Sequence, residues 1–167
     1  MTQPVMTIPE LAAFLDEVFP EVRGRFEILD LGSFSALVRM TARAEDLRPG
    51  GTVSGPAMFA LADVAFYIAT LAMIGPEPLT VTTNASIDFL RKPAPGPMLA
   101  AARVLKLGRS LSVGDVLLRS EGAEAAAARA SLTYSIPPDR RASAISSRIR
   151  SQTTASSTGP MKSPIGP

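Results

Sequence analysis

Residues 54–74 read Ser54-Gly-Pro-Ala-Met-Phe-Ala-Leu-Ala-Asp63-Val-Ala-Phe-Tyr-Ile-Ala-Thr-Leu-Ala-Met-Ile74, followed by Gly75-Pro76. Alanine, leucine and methionine favour helix, and Ser54 is a natural N-cap. Pro56 suits the first turn, and Gly75-Pro76 stops the pattern. The predicted helix over 55–74 is apolar on every side, so the expectation is burial all round. Its one charged group is Asp63. A membrane span of this length would place that carboxylate at the bilayer centre, costing about 2.5–3.5 kcal/mol. The flanks also lack Lys/Arg anchors, so no membrane insertion is expected. An ordinary surface aspartate would belong to a polar face, and this helix has none. A buried carboxylate needs donors or a purpose, which favours a functional Asp63.

Outward from the helix the texture changes to period two. Residues 79–90 alternate Val81, Thr83, Ala85, Ile87 and Phe89 against Thr82, Asn84, Ser86 and Asp88. Strands continue over 99–107, 111–119 and from about 124 to 136, separated by Gly-containing turns. Upstream, 26–31 and 34–41 read as strands around Gly32-Ser33. Thr7-Ile8-Pro9-Glu10 is a capping box opening a short amphipathic helix that Pro20 ends. Consecutive strands with short connections imply an antiparallel sheet. The predicted class is therefore α+β, one sheet with one long helix and a short N-terminal one.

Composition removes several chemistries. The 167 residues contain no cysteine and no histidine. That excludes disulfides, thiolate nucleophiles, Ser-His-Asp triads and imidazole metal sites, so no metal is expected. The excess of positive charge is confined to the end of the chain. Residues 1–136 carry 12 Lys+Arg against 14 Asp+Glu, and 137–167 carry five against one. The body thus offers no basic face for nucleic acid. With 10 Ser+Thr and five Pro in its last 31 residues, the chain divides into a domain over 1–137 and an expected disordered basic tail over 138–167. The first residues lack the pattern of a signal peptide, and the expected location is cytoplasmic.

Three passages carry a resemblance: Gly51-Thr-Val-Ser-Gly-Pro-Ala-Met-Phe-Ala-Leu-Ala-Asp63, Ile87-Asp-Phe-Leu-Arg-Lys-Pro93, and Gly108-Arg109. Together they resemble the hotdog-fold acyl-CoA thioesterases of the PaaI type, over about residues 26–137. The resemblance implies a sheet wrapped around a central helix, assembled as a homodimer or a dimer of dimers, with no cofactor. It also implies hydrolysis of a small or medium acyl-CoA. Asp63 would act as base or nucleophile, and the Gly55 amide would polarise the thioester carbonyl. Eight helical residues span about 12 Å, so Gly55 and Asp63 of one chain are too far apart to grip one thioester. Antiparallel copies of the helix would bring Gly55 of one subunit to Asp63 of the other. Many relatives carry His-Gly-Gly where this chain has Ser54-Gly55-Pro56, and an asparagine where it has Arg48. Ser54 would donate in place of the histidine. Pro56 has no N–H, which leaves the amides of Gly55 and Ala57. These departures keep a second reading open, an acyl-CoA-binding protein without hydrolysis.

Other candidates are weighed against plainer roles. Thr83 or Asn84 would orient water, although alternation lets only one face the site and strand threonines commonly serve the core. Arg91, Lys92 and Arg109 would meet coenzyme A phosphates or else sit as solvated strand ends. Phe59, Phe66 and Met58 would line an acyl channel or simply pack the core.

Overall fold

The computed structural model describes residues 2–138. The expected tail over 138–167 lies, past Pro138, outside the described residues. The helix α1 (Ile8–Val18) leads through a single 3-10 turn into strands β1 (Phe26–Gly32) and β2 (Ser35–Met40). The short strands β3 (Leu47–Arg48) and β4 (Thr52–Val53) pair with each other just before the long helix α2 (Gly55–Ile74). Then come β5 (Val81–Phe89), β6 (Met98–Leu107), β7 (Leu111–Ser120) and β8 (Ala128–Ser135). Six strands form one sheet in the order β1-β2-β6-β7-β8-β5, every neighbouring pair antiparallel. α2 packs across this sheet, touching all six strands, and α1 packs on β1 and α2.

Both helix ends are set by the residues that predict them. Thr7 and Glu10 form the reciprocal capping box of α1, and Ser54 caps α2. α2 reaches the sheet closely because alanines meet alanines. Ala62, Ala65, Ala69 and Ala72 lie fully buried, as do Ala100, Ala102, Ala128 and Ala130 on the strands. Phe66 needs a further concession from β7. A Cβ at Gly114 would stand 2.3 Å from the Phe66 ring and 2.1 Å from the Arg103 carbonyl oxygen. Thr70 and Ser112 share a buried hydroxyl contact of 3.0 Å between helix and sheet.

Two expectations are corrected. α2 is apolar and long enough to cross a membrane, yet 78% of its apolar window is buried, which makes it a core helix. Its burial is not all round, however. Pro56 and Phe59 are exposed and Ala60 and Asp63 half-buried, a strip one helical face wide along the first two turns. The last strand begins at Ala128 rather than near 124. Ala127 spends its carbonyl on Leu90 and Arg91 and its N–H on Leu118, and Ala126 accepts from the Arg91 side chain. The loop is thereby tied to the end of β5.

Candidate active site

The site is built where β5 and β8 pass over the middle of α2. Thr82 and Tyr134 are cross-strand partners, so their side chains emerge together on the helix-facing side. The Thr82 hydroxyl donates to Asp63 Oδ1 at 2.6 Å. The Tyr134 phenol shares its single proton between the same Oδ1 and the Asp63 backbone carbonyl, each 2.8 Å from the phenol oxygen. The second carboxylate oxygen, Oδ2, has no donor among the described residues. Burial, helped by the Asp63 charge beside it, pushes the Tyr134 phenol well above its ordinary range. It therefore stays a donor. Phe66 buttresses the Tyr134 ring edge-on, with centroids 5.4 Å apart.

Asp63 opens into a cleft of about 430 Å³ walled by Phe19, Val64, Tyr67, Pro78 and Val81. Most of that wall is hydrocarbon. Tyr67 donates to the Pro78 carbonyl at 3.2 Å, and burial raises its phenol to about 12.

Gly55 belongs to a different cleft of about 600 Å³, with Arg48, Met58, Phe89, Arg91 and Lys92 in its lining. One free amide remains in the first turn of α2. Pro56 has none, the Ala57 N–H is capped by Ser54 Oγ, and Met58 bonds to the Ser54 carbonyl. The Gly55 N–H has no acceptor among the described residues. Glycine at 55 answers to Phe89, whose ring would lie 3.1 Å from an added Cβ. The start of α2 is held from behind by a part-buried ion pair. Arg25 bonds the Asp46 carboxylate, which also accepts from the Arg43 N–H, and the Asp46 carbonyl accepts from the Ser54 N–H at 2.8 Å.

The structure therefore separates some candidates and corrects others. Neither Thr83 nor Asn84 reaches Asp63. A β-bulge between Thr82 and Asn84 shifts the alternation. Thr83 turns its hydroxyl to the Thr133 carbonyl at 3.1 Å, and Asn84 is exposed. Phe66 is core, fully buried, and lines neither cleft. Phe59 lies on the open strip of α2. Ser54 acts as cap, and the Ala57 amide is occupied by it. Arg91 and Lys92 follow the end of β5, whereas Arg109 is in the turn before Leu111. Leu111 pairs with Ser135, which pairs with Val81 at the start of β5, so Arg109 lies at the other end of the sheet. Sequence reasoning passed over Thr82, Tyr134 and the Arg25–Asp46 pair.

A comparison with curated proteins finds no match. The family model of the thioesterase superfamily matches residues 50–127, from the β3–β4 turn to the loop before β8. A crystal structure from Silicibacter sp. TM1040, of a protein assigned as a thioesterase, is 54% identical. It covers 82% of this chain and 96% of its own, with a TM-score of 0.77. The chain belongs to the thioesterase superfamily. Its class of reaction is thioester hydrolysis, and its architecture is the hotdog fold. The phenylacetic acid degradation protein PaaI of Thermus thermophilus, solved as a point mutant, is 28% identical over 71% of this chain and 99% of its own, with a TM-score of 0.60. Zebrafish thioesterase superfamily member 2 is 21% identical, covering 79% of this chain and 99% of its own at a TM-score of 0.69, and shares the fold. In this thioesterase the matched segment carries Gly55, Asp63 and Thr82, while Tyr134 lies beyond it.

Proposed function

We propose that this thioesterase hydrolyses small or medium acyl-CoA esters in the cytoplasm, at a site shared between two copies of the chain. The observation that carries the proposal is the Asp63 carboxylate, with one oxygen fixed by Thr82 and Tyr134 and the other free in an apolar cleft. Oδ2 takes a proton from water as the water oxygen bonds the thioester carbon. Alternatively, Oδ2 attacks that carbon directly, forming an anhydride that water then opens. In either route the carbonyl oxygen gathers negative charge, and the free Gly55 amide at the positive end of α2 receives it. Collapse breaks the carbon–sulfur bond. In the first route the thiolate takes the proton held on Oδ2 and leaves as coenzyme A, and the acyl group leaves as the acid. In the second the thiolate leaves as the anhydride forms, and the water that opens the anhydride supplies the proton to the thiolate and the hydroxyl of the acid.

The pairing of copies is supported by what the single chain leaves open. Asp63 and Gly55 line separate clefts. β5 is an edge strand with β8 on one side alone, and it exposes Val81 and Phe89. The strip of α2 through Pro56, Phe59 and Asp63 is uncovered beside it. An antiparallel pairing of two such edges would cover the strip and bring Gly55 of one copy towards Asp63 of the other. Arg91 and Lys92, at the mouth of the Gly55 cleft, would meet the coenzyme A phosphates.

Asp63→Asn tests the proposal. The hydrogen bond from Thr82 can persist to the amide oxygen, so fold and assembly should survive while turnover with acyl-CoA falls by about 10²–10⁴. Undiminished thiol release by that variant would overturn the assignment.

A further inference from the structure

We infer that Val64 is the partition between the acyl chamber at Asp63 and a second cavity beneath α1, and that this second cavity takes the distal methylenes of a longer acyl chain. The inference rests on the acyl-CoA reading above and extends it to chain length. Val64 follows Asp63 on α2, and its buried side chain lines both spaces. On one side lies the Asp63 cleft of about 430 Å³, bounded at α1 by Val18 and Phe19. On the other lies a cavity of about 540 Å³, walled by Ile8, Ala12 and Leu15 of α1, Val22, and Phe26 and Ile28 of β1. Each has the size of a small-ligand site, roughly 300–1,000 Å³. Residues of α1 and its C-cap line both hollows, and Val64 is the one residue common to the two linings.

The chemistry of the second cavity suits hydrocarbon. Its polar lining, Asp16, Arg23 and Glu27, is at the mouth, where Arg23 is 3.6 Å from the Asp16 carboxylate and donates to the Asp16 carbonyl at 2.8 Å. That strap joins α1 to the turn after it and leaves the interior walls apolar. A thioester carbonyl held at Asp63 would lay its acyl chain in the same cleft, and Val64 is part of that cleft's lining. Its two methyl groups decide whether the chain ends there or passes under α1. A methylene-sized change in such a pocket alters discrimination by about 10–200-fold.

The experiment measures kcat/KM of the full-length chain with saturated acyl-CoAs of increasing length, for wild type, Val64→Ala, Val64→Leu and the double variant Val64→Ala/Leu15→Phe. Thermal unfolding checks that each is folded. Val64→Ala should raise the long-to-short ratio about tenfold or more, and Val64→Leu should lower it. The double variant, which refills the second cavity, should cancel the gain. The inference is overturned if Val64→Ala scales every chain length by the same factor, or if Leu15→Phe leaves the gain intact. Should wild type release no thiol from any acyl-CoA, the hydrolytic reading fails on its own. Calorimetric binding of palmitate against butyrate then decides the cavity, and an unchanged preference in Val64→Ala overturns it.

Discussion

Tyr134 holds Asp63 at two points, its single phenol proton shared between the backbone carbonyl and the carboxylate Oδ1, each 2.8 Å from the phenol oxygen. The phenol therefore ties the middle of α2 to β8 and aims the carboxylate in one contact. A hydrogen bond to a charged group is worth about 1.5–3 kcal/mol. Tyr134→Phe should accordingly lower kcat about 10–100-fold and leave KM nearly unchanged, because aim is lost and not substrate contact. The fold should hold, since the edge-on packing against Phe66 needs only the ring. Thr82→Val should act in the same direction, and the two losses should fall short of additive because they share one oxygen. Steady-state kinetics on both single variants and the double variant check this, and an unaltered kcat in all of them would mean that Oδ1 needs no holding.

The same burial sets an alkaline limit on stability. Tyr67 is raised from 10.0 to about 12, chiefly by burial with Glu77 adding to it, and Tyr134 is raised further by burial and by Asp63. A folded-state pKa above the unfolded one means that the folded chain holds its protons more tightly. The stabilisation is full below about pH 10 and is lost as pH rises from there towards about 12 for Tyr67, and beyond that for Tyr134. Tm should be level below this window and fall within it. Tyr67→Phe should flatten the first part of the fall, and tyrosinate absorbance should show ionisation arriving with unfolding.

Where the sequence speaks locally, it is read correctly. The limits of α2 follow from Ser54 and Gly75, and those of α1 from the Thr7–Glu10 box. Thr82 escaped because period-two counting assumes an unbroken strand, and the bulge after it changes the parity of all that precedes. For Phe66 the sequence leaves acyl channel and core both open, and the structure places it in the core. α2 is apolar throughout, so its periodicity says nothing about which face meets the sheet and which meets a cleft. Arg25 and Asp46 are 21 residues apart in sequence, and no local pattern announces such a pair. Asp63 stood out because it is the one charge in a helix that has no polar face.

Gly114 tests the packing beneath the site. An added Cβ meets backbone on one side and the Phe66 ring on the other, and both are buried within strand and core. Neither can swing away freely. Gly114→Ala should cost about 1–3 kcal/mol or more in denaturant unfolding, and Phe66→Leu in the same chain should recover part of it. A cost within a few tenths of a kcal/mol would mean that β7 and α2 are less tightly apposed than these distances state.

The proposal that two copies share the site makes a prediction that no single variant can. Gly55→Asp introduces an acidic group at the start of α2, which has none in its first turn. A helix N-terminus tolerates that charge, but it stands where the oxyanion would form. The Phe89 ring, 3.1 Å from a Cβ at this position, has to shift to admit the side chain, so thermal unfolding checks that the variant is folded. Asp63→Asn and Gly55→Asp should each be nearly inactive alone. Mixed and allowed to exchange partners, they form hybrids in which one site carries both changes and the other carries neither. Random pairing puts half the dimers in that state with one intact site of two, so the mixture should regain about a quarter of the wild-type rate. Recovery would depend on subunit exchange and would be abolished by cross-linking each variant before mixing. If the two proteins stay inactive after exchange is demonstrated, Asp63 and Gly55 do not serve one thioester across the interface.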